Sequence, residues 1–139
     1  MADPRVFFDA NVLLYTDDPR YPQRQHIALS LIRKYLASKT GSLSTQVLQE
    51  YFANATRKLR IDVALARQKT EVFSKFQVLQ PNAGDILAAI DLHRLHQISF
   101  WDAMIIRMAL VSGARILYTE DLHHGQRMDT LEIVNPFLS

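Results

Sequence analysis

Apolar residues run along this chain in two alternating rhythms. Short runs rich in β-branched and aromatic residues, Arg5 to Phe8, Ser42 to Ser44, Val78-Leu79, Arg115 to Thr119 and Leu131 to Val134, read as buried strands. Between them apolar positions recur every three or four residues, the spacing of one helix face. Five helices are expected on this basis: Gln23 to Ser38, Gln46 to Leu59, Val63 to Phe76, Ala83 to Gln97 and Phe100 to Val111. The punctuation agrees. Asp62 and Ser99 stand where N-caps belong, Gly113 where a helix closes in the left-handed conformation, and Thr40-Gly41 breaks the first helix. Strands alternating with helices imply an α/β fold around a central, mainly parallel sheet of four to five short strands flanked by helices.

Length and composition narrow the picture. The 139 residues suffice for one domain, expected to span 1–139. No run reaches the roughly 18 apolar residues of a membrane span, and the first residues lack the apolar core of a secretory signal, so a cytoplasmic protein with no membrane partner is expected. The absence of cysteine removes disulfides, thiolate nucleophiles and cysteine-based metal sites. Net charge is +2, but unevenly placed: residues 1–75 hold 12 Lys and Arg against 7 Asp and Glu, and residues 76–139 hold 4 against 7. A basic first half suits a polyanion and an acidic second half suits a cation, although solvated helix faces account for the same numbers.

Four acids interrupt stretches otherwise written for burial. Asp9 ends Val6-Phe7-Phe8, Asp121 follows Ile116 to Thr119, Asp102 sits between Phe100-Trp101 and Ala103 to Ile106, and Glu50 precedes Tyr51-Phe52. A buried carboxylate is costly unless it is paired, hydrogen-bonded or bound to a cation. Each also has an ordinary explanation. Asp9 fits a turn, with Asn11 capping the next helix; Glu50 fits a polar stripe with Gln46, Asn54 and Arg57; Asp102 fits a capping box with Ser99. Spacing leaves open whether Glu120 or Asp121 faces inward. In an open parallel sheet ligands gather beyond the carboxyl ends of the strands, where Asp9 and Asp121 fall.

Other chemistries find little support. His93 and His96 lie one turn apart and His123-His124 are adjacent, but no third ligand at recognisable spacing completes a zinc site. Four scattered glycines make no phosphate loop, and no Gly-x-Ser-x-Gly elbow is present. Met104 and Met108 read as core. Asp9-Ala10-Asn11-Val12, with Gly84-Asp85 and Asp91, bears a partial likeness to haloacid-dehalogenase-like phosphatases with Asp9 as nucleophile. Against it, Asn replaces the second Asp, and Ala83 to Gln97 reads as a helix.

Taken together, Val6-Phe7-Phe8-Asp9-Ala10-Asn11-Val12-Leu13, Ser44-Thr45-Gln46-Val47-Leu48-Gln49-Glu50, Ser99-Phe100-Trp101-Asp102-Ala103-Met104-Ile105 and Leu117-Tyr118-Thr119-Glu120-Asp121 resemble the four motifs of the PIN-domain family, in particular its VapC-like toxin ribonucleases. The resemblance covers most of the chain; Arg60 to Asn82 matches nothing specific. It implies a three-layer PIN-like fold and an acidic site of Asp9, Glu50, Asp102 and Asp121 holding Mg²⁺ or Mn²⁺ for hydrolysis of RNA. Asn11 would orient Asp9, and Thr119 would hold a water or ligand. The same resemblance implies a cognate antitoxin and a homodimer. Arg57, Lys58 and Arg60, at the end of the Glu50 helix, are the residues expected to contact the RNA backbone. A domain that binds RNA or a partner without cutting is the other reading.

Overall fold

The computed structural model describes residues 3–138; Met1, Ala2 and Ser139, included in the expected single domain, lie outside them. The elements in chain order are β1 (Val6–Phe8), α1 (Ala10–Tyr15), α2 (Pro22–Ser38), β2 (Gly41–Ser44), α3 (Thr45–Arg57), α4 (Val63–Phe73), β3 (Gln77–Leu79), α5 (Ala83–His96), α6 (Phe100–Val111), β4 (Ile116–Tyr118), β5 (Arg127–Met128) and β6 (Leu131–Val134). The sheet runs β3-β2-β1-β4-β6-β5, every neighbouring pair parallel except β5 with β6. This is the expected α/β architecture with one strand more and, in α1, a short helix besides the five read from periodicity. The added strand, β5, is two residues long and turns into β6 through Asp129 at φ 56°. Two residues carry no alternation from which a strand could be read.

β1 sits at the centre because its three residues are apolar on both faces; Val6, Phe7 and Phe8 are fully buried. Phe8 packs on Tyr35 from α2, on Phe76 and on Tyr118 of β4, with ring centroids 5.9, 5.4 and 5.6 Å away. Met104 and Met108 are core residues. Helix ends follow their local chemistry. Asp62 accepts from the Ala64 amide, Ser99 from the Asp102 amide, and Gly113 takes φ +77° after α6.

Several boundaries shift by one or two residues from the sequence pattern, and the end of α4 by three. α4 ends at Phe73 rather than Phe76, because Ser74 turns its hydroxyl back onto the Glu71 carbonyl and the chain swings Phe76 against β2. After α2 it is Lys39 that takes the left-handed turn, at φ 60°. Gly41 serves a different purpose: a Cβ there would come within 2.5 Å of the Phe76 ring, so glycine lets β2 and that ring meet.

Candidate functional site

In the strand order, the chain proceeds from β1 to β2 on one side and reaches β4 on the other. The boundary between β1 and β4 is therefore the point where the topology switches direction, and at their carboxyl ends the loops part to leave a crevice. Phe8 pairs with Tyr118 at the last rung, so Asp9 and Thr119 emerge side by side. The sequence places a carboxylate at each exit: Asp9 directly after β1, Asp121 three residues after β4.

Asp9 is 4 % exposed. Its Oδ1 accepts from the Ala10 amide at 2.8 Å, making Asp9 itself the N-cap of α1, and its Oδ2 accepts from the Thr119 hydroxyl at 2.9 Å. Burial pushes its pKa from the ordinary 3.8 to about 7, against those two hydrogen bonds and with a further push from the charges of Glu50 and Asp121. The cap assignment corrects the expectation that Asn11 caps α1. Asn11 lies within the helix and donates from Nδ2 to Thr119 Oγ1 at 3.2 Å and to Asp121 Oδ2 at 3.0 Å, while its Oδ1 accepts from the Glu120 amide. Asn11 thus holds Asp121, and it is Thr119 that orients Asp9. Thr119 is fully buried, with its hydroxyl engaged by Asp9, Asn11 and the Asp121 amide, so it braces the site and has no free face for a ligand.

Glu120 turns the other way. Its carboxylate accepts from the Tyr15 hydroxyl at 3.0 Å and pairs with Arg24 at 3.4 Å, leaving Asp121 as the acid of this loop on the Asn11 side. Glu50, on α3, accepts from Gln46 Nε2 at 2.6 Å; the same amide group reaches the Trp101 carbonyl at 3.2 Å and ties α3 to the start of α6. Asp102 forms only half of the expected capping box. Its amide donates to Ser99 Oγ at 3.0 Å, but its carboxylate makes no return bond to the Ser99 amide. Burial raises the pKa of both Glu50 and Asp102, and nearby acids add to it: Asp102 and Asp121 act on Glu50, and Asp121 on Asp102.

The four carboxylates therefore lie within electrostatic reach of one another, and none forms an ion pair with Lys, Arg or His among the described residues. No three His, Asp or Glu side chains among these residues are drawn close enough to hold an ion without adjustment. The donor chemistry nonetheless fits a hard divalent cation: all oxygen, anionic and uncompensated. A further observation points the same way. Ser44 Oγ is the one buried side-chain oxygen or nitrogen without a hydrogen-bond partner among the described residues. Carrying the β1–β2 register two residues past Phe7 sets Ser44 beside Asp9.

A cleft of about 230 Å³ opens beside these acids, lined by Asn11, Asn54, Glu120, Lys58, Arg20 and Tyr21 among others. Lys58 alone of the expected RNA-contacting cations lines it. Arg57 reaches back to Asn54 Oδ1 at 3.4 Å, and Arg60 lies beyond α3 in a left-handed turn at φ 56°. Arg20 and Tyr21 were not legible as site residues, since the loop between α1 and α2 carries no motif. Gln46 and Ser44 were visible only as part of the stretch leading to Glu50. Asp85, the second acid of the phosphatase likeness, belongs to a capping box on α5 and pairs with Arg107 at 3.0 Å, away from Asp9.

No curated protein sequence matches the chain. Among solved structures, a toxin–antitoxin complex from Klebsiella pneumoniae superposes with a TM-score of 0.70 at 15% identity, covering 95% of this chain and 98% of the other. The VapBC complex of Rickettsia felis, bound to a DNA fragment from its promoter, gives 0.66 at 17% identity over 92% and 96%. A sarcin–ricin-loop-cleaving VapC toxin of Mycobacterium tuberculosis gives 0.63 at 19% over 84% and 89%. At such identities these likenesses establish the fold. The family model of the PIN domain matches residues 6–127, most of the chain, and this protein belongs to the PIN domain family.

Proposed function

We propose that the protein is an endoribonuclease that uses Mg²⁺ or Mn²⁺ to hydrolyse RNA phosphodiester bonds, and that it is the cytoplasmic toxin of a toxin–antitoxin pair. The observation that carries this reading is that Asp9, Glu50, Asp102 and Asp121 lie within electrostatic reach of one another with no Lys, Arg or His paired to them among the described residues. The fold shared with VapC and VapBC structures supports the toxin assignment. A cognate antitoxin covering the acidic cleft and a homodimeric assembly belong to the same proposal.

A divalent ion held by these four carboxylates would supply Lewis acidity toward the phosphodiester and toward a water molecule. The chain's own residues do the positioning. Thr119 aims Asp9, Asn11 aims Asp121, and Gln46 aims Glu50, each through the hydrogen bonds described above. The Ser99 cap holds the first turn of α6 and so the Asp102 backbone. No serine, cysteine or histidine nucleophile is needed; an acid of the cluster receives the proton released by the attacking water.

The test is cleavage of RNA by the purified, antitoxin-free protein with Mg²⁺ or Mn²⁺ and with chelator. Cleavage is expected only with the ion, and Asp9→Asn or Asp102→Asn is expected to lose at least ~100-fold, the size of effect typical of a residue that stabilises the reacting charge. Full metal-dependent activity in either variant sinks the reading. Absence of both cleavage and growth toxicity in the intact protein would favour a binding module, and an acid-stable phosphoenzyme on Asp9 would favour a phosphatase.

A further inference from the structure

We propose that the cleft between α1, the α1–α2 loop and the end of α3 is a subsite for one unpaired nucleotide next to the scissile phosphate, with Tyr21 as the stacking surface for its base and Lys58 as the contact to its phosphate. This rests on the ribonuclease reading, which it deepens by naming how single-stranded RNA is held.

The cleft borders the acidic site through residues bonded to two of its acids, none of the four acids lining it. Asn11, on its wall, is bonded to Asp121, and Asn54, also on its wall, donates to the Glu50 backbone carbonyl at 2.9 Å. A strand whose phosphate lay among the acids would pass this cleft with a neighbouring residue. The outer wall is aromatic and held in place. Tyr15 and Tyr21 meet edge to face with centroids 5.9 Å apart, and the Arg24 guanidinium lies 5.3 Å from both ring centroids. Arg24 also donates to the Tyr15 hydroxyl at 2.6 Å, and that hydroxyl donates to Glu120, so Tyr15 is anchored at both ends. Tyr21 remains 45 % exposed. Its ring is flanked by Tyr15 and by the guanidinium groups of Arg20 and Arg24, 5.5 and 5.3 Å from its centroid, and a ring so restrained loses little freedom on stacking against a base, which is how nucleic-acid grooves hold unpaired strands.

Charge picks out the polar end of the ligand. Arg20 is paired with Asp18 and Arg24 with Glu120. Lys58, which lines the same cleft, has no carboxylate partner among the described residues. It is the uncompensated cation of the cleft, as an anion-binding position requires. The volume of about 230 Å³ falls short of the ~300–1,000 Å³ of a drug-sized ligand pocket, in keeping with a group as small as one base.

The experiment uses a short single-stranded RNA that the protein cleaves, with one abasic residue stepped through it. At the position flanking the cut the wild type is expected to lose about ten-fold in kcat/KM, the scale of one base–aromatic stack. Tyr21→Ala should lose a similar factor on intact RNA, mostly through KM, and become indifferent to the abasic position, while Tyr21→Trp restores sensitivity. Lys58→Ala should lower the slope of binding against salt by about one. Binding is read separately, by fluorescence anisotropy of labelled RNA on Asp102→Asn. If the wild type cleaves but responds equally to abasic and intact RNA, or Tyr21→Ala keeps the abasic sensitivity, the subsite is wrong and the nuclease reading stands. If nothing is cleaved while RNA binding to Asp102→Asn still depends on Tyr21 and Lys58, the subsite stands and the nuclease reading falls.

Discussion

Asp9 carries the clearest physical tension in the molecule. Its carboxylate is buried, and desolvation raises its folded pKa from 3.8 to about 7. Between these values the folded state binds more proton than the unfolded chain, so without metal the protein should lose stability as pH rises from about 4 to about 7 and level off above that. Urea unfolding at pH 5 and pH 7.5 in chelator measures it; Asp9→Asn should flatten the slope and be the more stable variant at pH 7.5. A rise in stability over that interval, unchanged in Asp9→Asn, would refute the assignment. Thr119 answers a neighbouring question. Thr119→Val keeps the shape but removes the donor to Asp9 Oδ2, an acceptor to Asn11 and an acceptor to the Asp121 amide. A loss of about 1–3 kcal/mol is expected for groups left unpaired in a buried place, together with a further rise in the Asp9 pKa.

At the scale of elements, the site depends on how α3 is clamped. Asp17, after α1, has a nearly buried side chain that accepts from Tyr51 of α3 at 2.5 Å and forms an ion pair with Lys69 of α4. Burial lowers the Lys69 pKa, and the Tyr51 hydroxyl is pushed up to about 12. This clamp sits one residue from Glu50, so it sets where α3 presents its acid. Lys69→Met leaves Asp17 uncompensated and should cost about 3 kcal/mol, read from urea midpoints. Tyr51→Phe should cost less, because the charge pair remains. Gly41→Ala is the other element-scale probe. The added methyl meets Phe76, and a loss of about 1–3 kcal/mol is expected from overpacking where β2 begins. A neutral Gly41→Ala would mean that the Phe76 ring moves freely.

For the whole molecule, the four acids make stability and ion binding one problem. In the proposed reading a divalent ion binds only where the carboxylates are gathered, hence only to the folded chain. At one hundred times its dissociation constant such an ion adds about 2.7 kcal/mol. Thermal unfolding with and without Mn²⁺ should show that gain at pH 7.5 and a smaller one at pH 5, where Asp9, its pKa raised to about 7, is protonated. Equal gains at both pH values would place the ion elsewhere. No helix among the described residues is long and apolar enough to cross a membrane. The buried core gathers β1, β2, β4 and β6 with the helices against them.

What the sequence determined by itself is whatever neighbouring residues decide. Helix periodicity marked α2 to α6 within a few residues, Asp62 and Ser99 announced their caps, and the interruptions of apolar runs singled out Asp9, Glu50, Asp102 and Asp121. Capping, propensity and burial pattern act over three to seven residues, so they leave a local signature. The two-residue β5 leaves none, because it exists only by pairing with β6. Tertiary structure alone decided that β1 and β4 are neighbours, that Asn11 bonds Asp121 across 110 positions while Thr119 takes Asp9, and that Glu120 turns to Tyr15 and Arg24. It also joined Tyr21 and Lys58, from segments with no shared motif, on one cleft. Those outcomes depend on strand order and on charges meeting across the assembled sheet, and no local stretch of the chain contains either.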